Sequence, residues 1–396
     1  IYIGHHEDNI NQAEAIVIST AIPASNPELR SARERGLKVF HRADIIAALM
    51  QKYDGIAIAG AHGKTTTTSM VAIMLEKAGL DPTVIIGGEL NDIGGNAKLG
   101  SGKYLVAEAD ESDGSFLKLS PKIAVVTNIE NDHLDFYETM ENILHSFKEF
   151  LHNLPPDDGV AILCVDNAYV RDLIPQLQRR YISYAINHEA EFTARDIKMQ
   201  GITIQYDVYR HQECLGTVTL NVPGYHNVAN SLAAVAVGTH LGLAFEEIAA
   251  ALASFTGAKR RFQTKGRVDG VLVVDDYAHH PTEISTTLMA ARQTRPKRLI
   301  CVFQPHRYTR TKLLHEEFGR AFAAADMLIL TDIYPAGEQP IAGVSGELIK
   351  EEVEAQTKQP VTYIPDSSKI ARYLSEVVEP GDLVITMGAG NIYQAG

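Results

Sequence analysis

The stretch GIAIAGAHGKTTTTS, Gly55–Ser69, decides the fold. Its first half, GIAIAG, is a run of small and β-branched apolar residues that reads as a buried strand. Its second half opens a helix, TTTTSMVAIMLEKAG, with apolar residues at helical spacing and Gly79 as the stop. Between them Gly60, Gly63, Lys64 and Thr65 spell G-x-x-G-K-T. Glycines let the backbone curl until several N–H groups face one anion. The helix N-terminus adds about half a positive charge. Lys64 can neutralise terminal phosphate charge, and the hydroxyls of Thr65 and Thr66 can serve a divalent ion or a phosphate. The spacing is shorter than the usual G-x-x-x-x-G-K-T, so the pattern alone also fits a glycine-capped helix start with a solvated lysine. The order of strand, loop and helix favours the phosphate reading.

Outward from this stretch the chain alternates strands and helices. Upstream, AEAIVIST reads as a strand, and NPELRSARERG as a helix with Asn26 as N-cap and Pro27 first. LKVF and RADIIAALMQKY repeat the pattern, like the later half of a Rossmann-like domain. Downstream, PTVIIGG, YLVAEAD and KIAVVTNI read as further strands of a parallel α/β sheet. Residues 190–222 alternate without helix signals and predict an antiparallel ribbon on the edge of the same domain. After the junction FTGAKRRFQTKG come VLVVDDYAH, RLICVFQPH, ADMLILTDIY and DLVITMGAG, each a strand ending in polar residues or glycine. The expected class is α/β, with units at 1–54, 55–256 and 257–396.

Bulk properties narrow the function. The 396 residues are 45% hydrophobic and 21% charged, an ordinary globular balance, and the net charge of -13 argues against binding nucleic acid. No apolar run reaches the roughly 20 residues that span a bilayer, so no membrane role is expected. Cys164, Cys214 and Cys301 are far apart and read as reduced cysteines of a cytoplasmic protein. Oligomeric state has no signal here.

Polar clusters sit at the predicted strand ends, where ligands of open parallel sheets bind. Glu108, Asp110, Glu111 and Asp113 suit Mg²⁺, which takes oxygen ligands. Asn128, Glu130, Asp132, His133 and Asp135 follow the next strand, and His133 fits a metal or a phosphate. His226, Asn227 and Asn230 open a helix. Asn227 and Asn230 share a helix face and can read a base edge, or His226 can be a plain neighbour of the N-cap. Arg260 and Arg261 lie at the junction, either solvated or reaching a transferring phosphoryl group. Tyr277 and His279, with Arg307 and Arg310 further on, end two C-terminal strands, and two arginines three apart can hold a carboxylate.

These motifs in this order resemble the Mur ligase family: AGAHGKTTTT, AEADESDGSF, TNIENDHLD, VPGYHNVAN, GAKRRFQ, DDYAHHPTEI, FQPHRYTRT and YPAGE. The resemblance implies an N-terminal UDP-sugar domain, here incomplete, a central P-loop ATPase and a C-terminal Rossmann-like domain for the incoming amino acid. It implies that ATP and Mg²⁺ are used to join L-alanine to UDP-N-acetylmuramate through an acyl phosphate. A peptide-attaching relative and an inert nucleotide-binding fragment are the alternatives. Carried onto this chain, Gly60, Gly63, Lys64, Thr65 and Thr66 grip the phosphates, and Thr65, Glu108 and His133 hold metal. His226, Asn227 and Asn230 lie by the adenine, and Arg261 or Arg260 meets the γ-phosphate. Tyr277, His279, Arg307 and Arg310 hold L-alanine, with His279 a candidate base. Ser19, His62 and one of His5 and His6 touch substrate. Ala61 stands where the family usually has threonine. The family also has a pyrophosphate loop of the G-x-G-G-x-G-M-S type upstream of residue 1, so the chain is expected to be a fragment of a longer gene product.

Overall fold

The computed structural model describes residues 1–90 and 94–396; the side chains of Glu89, Leu134 and Asp135, the last among the acidic residues singled out above, lie outside the described residues. The first two strands form a sheet of their own. In it β1 (Ala15–Ile18) pairs in parallel with β2 (Lys38–His41). Between them runs α1 (Pro27–Glu34), whose N-cap Asn26 accepts from the N–H of Glu28 and Leu29. After β2 comes α2 (Arg42–Met50), opened by a capping box of His41 and Asp44. This helix packs on the next domain: Met50 joins the core of Ala57, Phe116 and Phe147.

The middle domain is built on ten strands. In chain order they are β3 (Asp54–Ala59), β4 (Thr83–Leu90), β5 (Gly95–Lys98), β6 (Tyr104–Glu108), β7 (Ile123–Val126), β8 (Val160–Cys164), β9 (Arg180–Ala185), β10 (Phe192–Gln200), β11 (Thr203–Arg210) and β12 (Glu213–Leu220). Their spatial order is β12-β11-β10-β9-β8-β7-β3-β6-β4-β5. Thus β3 lies at the centre, parallel to β6 on one side and β7 on the other. Its Ile56, Ala57, Ile58 and Ala59 are fully buried, as small and β-branched side chains on a doubly covered strand should be.

One face of the sheet carries α3 (Lys64–Lys77), α7 (Tyr225–His240) and α8 (Phe245–Ser254). The other carries α4 (Leu134–Tyr137), α5 (Met140–His152) and α6 (Ala168–Leu173), where Phe116 stacks on Phe150 at 5.0 Å. Beyond β9 the sheet turns antiparallel in β10–β12, the ribbon that the alternation predicts. Cys214 on this ribbon is exposed, whereas Cys164 and Cys301 are buried.

The third unit is a six-stranded sheet. It contains β13 (Gln263–Val268), β14 (Val271–Asp276), β15 (Leu299–Phe303), β16 (Met327–Leu330), β17 (Val361–Tyr363) and β18 (Leu383–Met387), in the order β13-β14-β18-β15-β16-β17. All neighbours are parallel except β13 with β14. Its helices are α9 (Pro281–Gln293), α10 (Tyr308–Ala321), α11 (Gly346–Thr357) and α12 (Ile370–Val377). Among the described residues no helix is long and apolar enough to cross a membrane.

Candidate active site

The loop between β3 and α3 is shaped by two glycines. Gly60 has φ +134°, and a Cβ there would lie 2.1 Å from Thr127 Oγ1. Gly63 has φ +84°, and its Cβ would meet Asn230 Oδ1 at 2.5 Å. Side chains rarely adopt such φ values, so both positions require glycine. Gly63 is also the N-cap of α3 and offers no side-chain cap, which leaves the helix N-terminus open to an anion. Lys64 folds back over the loop: Nζ donates to Gly60 O at 2.5 Å and to Glu111 Oε1 at 2.7 Å. Burial lowers its pKa, but Glu111 prevails and holds it above the ordinary lysine value. Thr65 and Thr66 begin the helix. Thr67 and Thr68, by contrast, are fully buried with no partner for their hydroxyls, so the second half of the threonine block belongs to the core.

Oxygen donors surround this loop. Glu108, at the end of β6, accepts from Gly87 N (2.7 Å) and from Thr65 Oγ1 (3.3 Å). Burial raises its pKa, against the pull of that N–H and of Lys64 and Arg261. Glu111 Oε2 is buried without a hydrogen-bond partner. His133 has φ +59°, and its Nε2 lies 3.5 Å from Asp132 Oδ2 and 3.9 Å from Glu111 Oε1. Burial opposes ionisation of Asp132, but His133 and Arg310 hold its pKa down at about 2. Hydroxyl and carboxylate oxygens around Thr65, with one buried oxygen unpartnered, make a donor set that fits Mg²⁺. The tightest group of ligating side chains among the described residues lies elsewhere. The donor atoms of His62, Glu130 and His280 fall within 4.8 Å of one another. There the His62 imidazole already bridges two carboxylates. Burial lowers its pKa, yet Glu130 and Glu283 push it up to about 10.

Two cavities open beside the loop. The smaller, about 190 Å³, is lined by His226, Asn227 and Asn230 of α7, by Phe255 and by Asp276. Asn227 Nδ2 donates to Pro223 O (2.7 Å) and Asn230 Nδ2 to Asn227 Oδ1 (3.2 Å), so each asparagine amide is already held. Burial, with Arg261 nearby, takes the His226 pKa down to about 4. Burial pushes Asp276 up to about 6, tempered by Arg261. The larger cavity, about 840 Å³, brings Lys64, Thr65, Glu108 and His133 together with Tyr277 and His279 of the third unit.

The adjacent arginines diverge. Arg260 binds its own sheet: Nε to Asp275 Oδ2 (3.0 Å), NH1 to Gly390 O (3.1 Å) and NH2 to Gly388 O (2.5 Å), over the rings of Tyr277 and Tyr393. Arg260 nonetheless lines the larger cavity, and Arg261 lines both. His279 Nδ1 lies 2.9 Å from Tyr277 O, and burial takes its pKa down to about 3, with Arg310 and His306 adding to the effect and Glu283 opposing it. Arg307 and Arg310 both act on His306, and Arg310 also on His279 and Asp132. Neither arginine lines either cavity. His6 and Ser19 also lie outside both; His6 Nδ1 accepts from Asp8 N.

Three residues escaped the sequence reading. Arg42, at the start of α2, reaches Asp110 at 2.5 Å and lines the larger cavity. The strand–helix junction HRAD carries the same strand-end signal as the other clusters. Asp276 and Glu283 sit inside DDYAHHPTEI, where the histidines drew the eye.

Family models match along the chain: Mur ligase family, catalytic domain, over residues 1–54; Mur ligase middle domain over 58–238; and Mur ligase, glutamate ligase domain, over 260–390. The UDP-N-acetylmuramate–L-alanine ligase of Pelotomaculum thermopropionicum is 54% identical over the whole chain, which spans 86% of that protein. The chain belongs to the Mur ligase family. Among solved Mur ligases, the UDP-N-acetylmuramate–alanine ligase of Thermotoga maritima superposes with a TM-score of 0.86 at 25% identity, covering all of this chain and 86% of that one. The murein peptide ligase of Psychrobacter arcticus gives 0.73 at 25% identity, covering all of this chain and 87% of that one.

Proposed function

We propose that this Mur ligase is a cytoplasmic enzyme of peptidoglycan precursor synthesis that joins L-alanine to UDP-N-acetylmuramate. The observation that carries the reading is the larger cavity, where the phosphate loop and carboxylates of one domain face Tyr277 and His279 of another. A carboxylate is a poor acyl donor. ATP supplies the γ-phosphoryl group that turns the lactyl carboxylate into an acyl phosphate, and Mg²⁺ supplies positive charge to that transfer. The amine of L-alanine then attacks the activated carbon and phosphate leaves.

The residues of the chain position and neutralise. Gly60 and Gly63 shape the loop so that its N–H groups and the start of α3 face the phosphates, and Lys64 exchanges Glu111 for phosphate oxygens. Thr65, Glu108 and His133 would hold the metal. Arg261, placed between the cavities, counters charge on the transferring group. The nucleoside fits the smaller cavity beside Asn227 and Asn230. His279 is held neutral by its surroundings, so its role is to accept a hydrogen bond from the incoming amine and aim it, more than to act as a strong base. Arg310 and Arg307, which both act on His306 next to His279, are suited to the alanine carboxylate.

The test is phosphate release from ATP in the presence of UDP-N-acetylmuramate and L-alanine. Turnover that needs both substrates supports the reading. Turnover with an intact cell-wall tripeptide instead of alanine would assign the peptide-ligase reading. Nucleotide binding without turnover would leave only a binding module.

A further inference from the structure

The side chain of His62 joins two domains at the wall between the cavities. Its backbone belongs to the phosphate loop: N donates to Asn128 Oδ1 (2.8 Å), and O accepts from Thr127 Oγ1 (2.6 Å) and Asn128 Nδ2 (2.9 Å). The ring leaves the loop. Nδ1 lies 3.1 Å from Glu283 Oε1 and Nε2 3.2 Å from Glu130 Oε2. Glu130 Oε2 also accepts from Thr282 Oγ1 at 3.1 Å, so the first turn of α9 is tied to the middle domain twice. The other oxygen of Glu283 accepts the N–H groups of His279 (3.0 Å) and His280 (3.3 Å). One carboxylate therefore holds the phosphate loop with one oxygen and the backbone of the amine-facing segment with the other. Among the described residues, Glu283 and Arg261 are the two that line both cavities.

We infer that His62 is a positioning residue that couples the phosphate loop to His279 through Glu283, so that nucleotide and L-alanine bind cooperatively. The inference rests on the ligase reading and names the link between its two sites. Both ring nitrogens are engaged, and the side chains of His62 and Glu283 are only 15% and 13% exposed. Charge-assisted bonds in so dry a setting are stronger than surface pairs. A shift of the loop at residues 60–63 must then move the first turn of α9 or break these bonds. Coupling of this kind is reciprocal: nucleotide tightens alanine by the factor by which alanine tightens nucleotide.

Two measurements test it. The first is hydrogen exchange in residues 277–288 with and without a non-hydrolysable ATP analogue and Mg²⁺. In the parent protein the analogue slows exchange in this segment. In His62→Ala the slowing is lost at an analogue concentration that saturates the variant, whose loop keeps its backbone bonds. The second is steady-state kinetics. His62→Ala and Glu283→Gln each raise the KM for L-alanine about tenfold at saturating ATP and, by the same reciprocity, the KM for ATP by a similar factor at saturating L-alanine, and the double variant rises no further, since both act in one link. Slowing that survives His62→Ala, a parent protein that shows no slowing, or additive effects in the double variant overturns the inference. A parent protein without alanine-dependent turnover sinks the ligase reading, and the exchange measurement still decides the link.

Discussion

Replacing Arg260 by alanine removes three donors from the third unit at once. Asp275, 1% exposed, keeps only its bond from Thr386 Oγ1 at 2.8 Å, and the carbonyls of Gly388 and Gly390 lose their guanidinium. Taking one partner from a buried ion pair costs about 3–5 kcal/mol. The Thr386 bond and the 21% exposure of the Arg260 side chain place the cost at the lower end, about 3 kcal/mol. For a unit of this size each kcal/mol moves the melting temperature by about 3 °C, so Arg260→Ala should lower it by about 10 °C. Arg261→Ala should leave melting within about 2 °C, while kcat/KM falls about 10³-fold, the scale of an arginine that stabilises phosphoryl transfer. Differential scanning calorimetry and alanine-dependent phosphate release read the two quantities. If Arg260→Ala melts like the parent and instead loses nucleotide affinity, the division of labour between the neighbours is wrong.

Lys64→Ala should abolish ligation while the protein stays folded; phosphate release at a near-normal rate would remove the phosphate loop from the mechanism. Glu108→Ala should raise the Mg²⁺ needed for half-maximal rate more than about tenfold, and an unchanged Mg²⁺ titration would dismiss it as a ligand. Gly63→Ala must adopt φ +84° with its Cβ 2.5 Å from Asn230 Oδ1. It should lose about 1–2 kcal/mol of stability and weaken nucleotide binding, checked by urea unfolding and calorimetry. With pH, His226 titrates near 4 in the folded protein against an ordinary 6.5, so the unfolded chain binds the extra proton first. Its contribution to stability is complete above 6.5 and lost as pH falls towards about 4. His62, near 10, contributes in the opposite sense: fully below 6.5, and lost as pH rises through about 10. Melting temperatures across pH 4–7 should fall on the acid side, and His226→Ala should flatten that slope.

The strand tips were legible because the chemistry there is concentrated. A glycine pair, a lysine and threonines between a buried strand and a helix admit few other folds, and the carboxylates of AEADESDGSF end the strand beside it. The antiparallel ribbon was legible from alternation. Less visible were β8 and β9, short runs of five and six residues that no catalytic motif marks. The two faces of the threonine block were also hidden: the pattern cannot tell Thr65 and Thr66, at the mouth of the loop, from Thr67 and Thr68, which packing by α7 and α8 takes into the core. Arg260 and Arg261 are chemically identical in sequence; in the fold Arg260, with φ +58°, binds Asp275 and lines the larger cavity, whereas Arg261 lines both cavities. Glu283 looks like an ordinary capping-box glutamate until the third dimension brings His62 against it.

The ribbon of β10–β12 lends no side chain to either cavity, yet it is rigidly part of the domain that carries the phosphate loop. Cys214 is the accessible thiol there, and the other two cysteines are shielded. A maleimide dye would therefore attach at one known place, remote from the chemistry. Paired with an acceptor on the exposed face of α11 or α12, it turns the ribbon into a built-in ruler that reads whether the distance between the middle domain and the third unit changes when nucleotide is added.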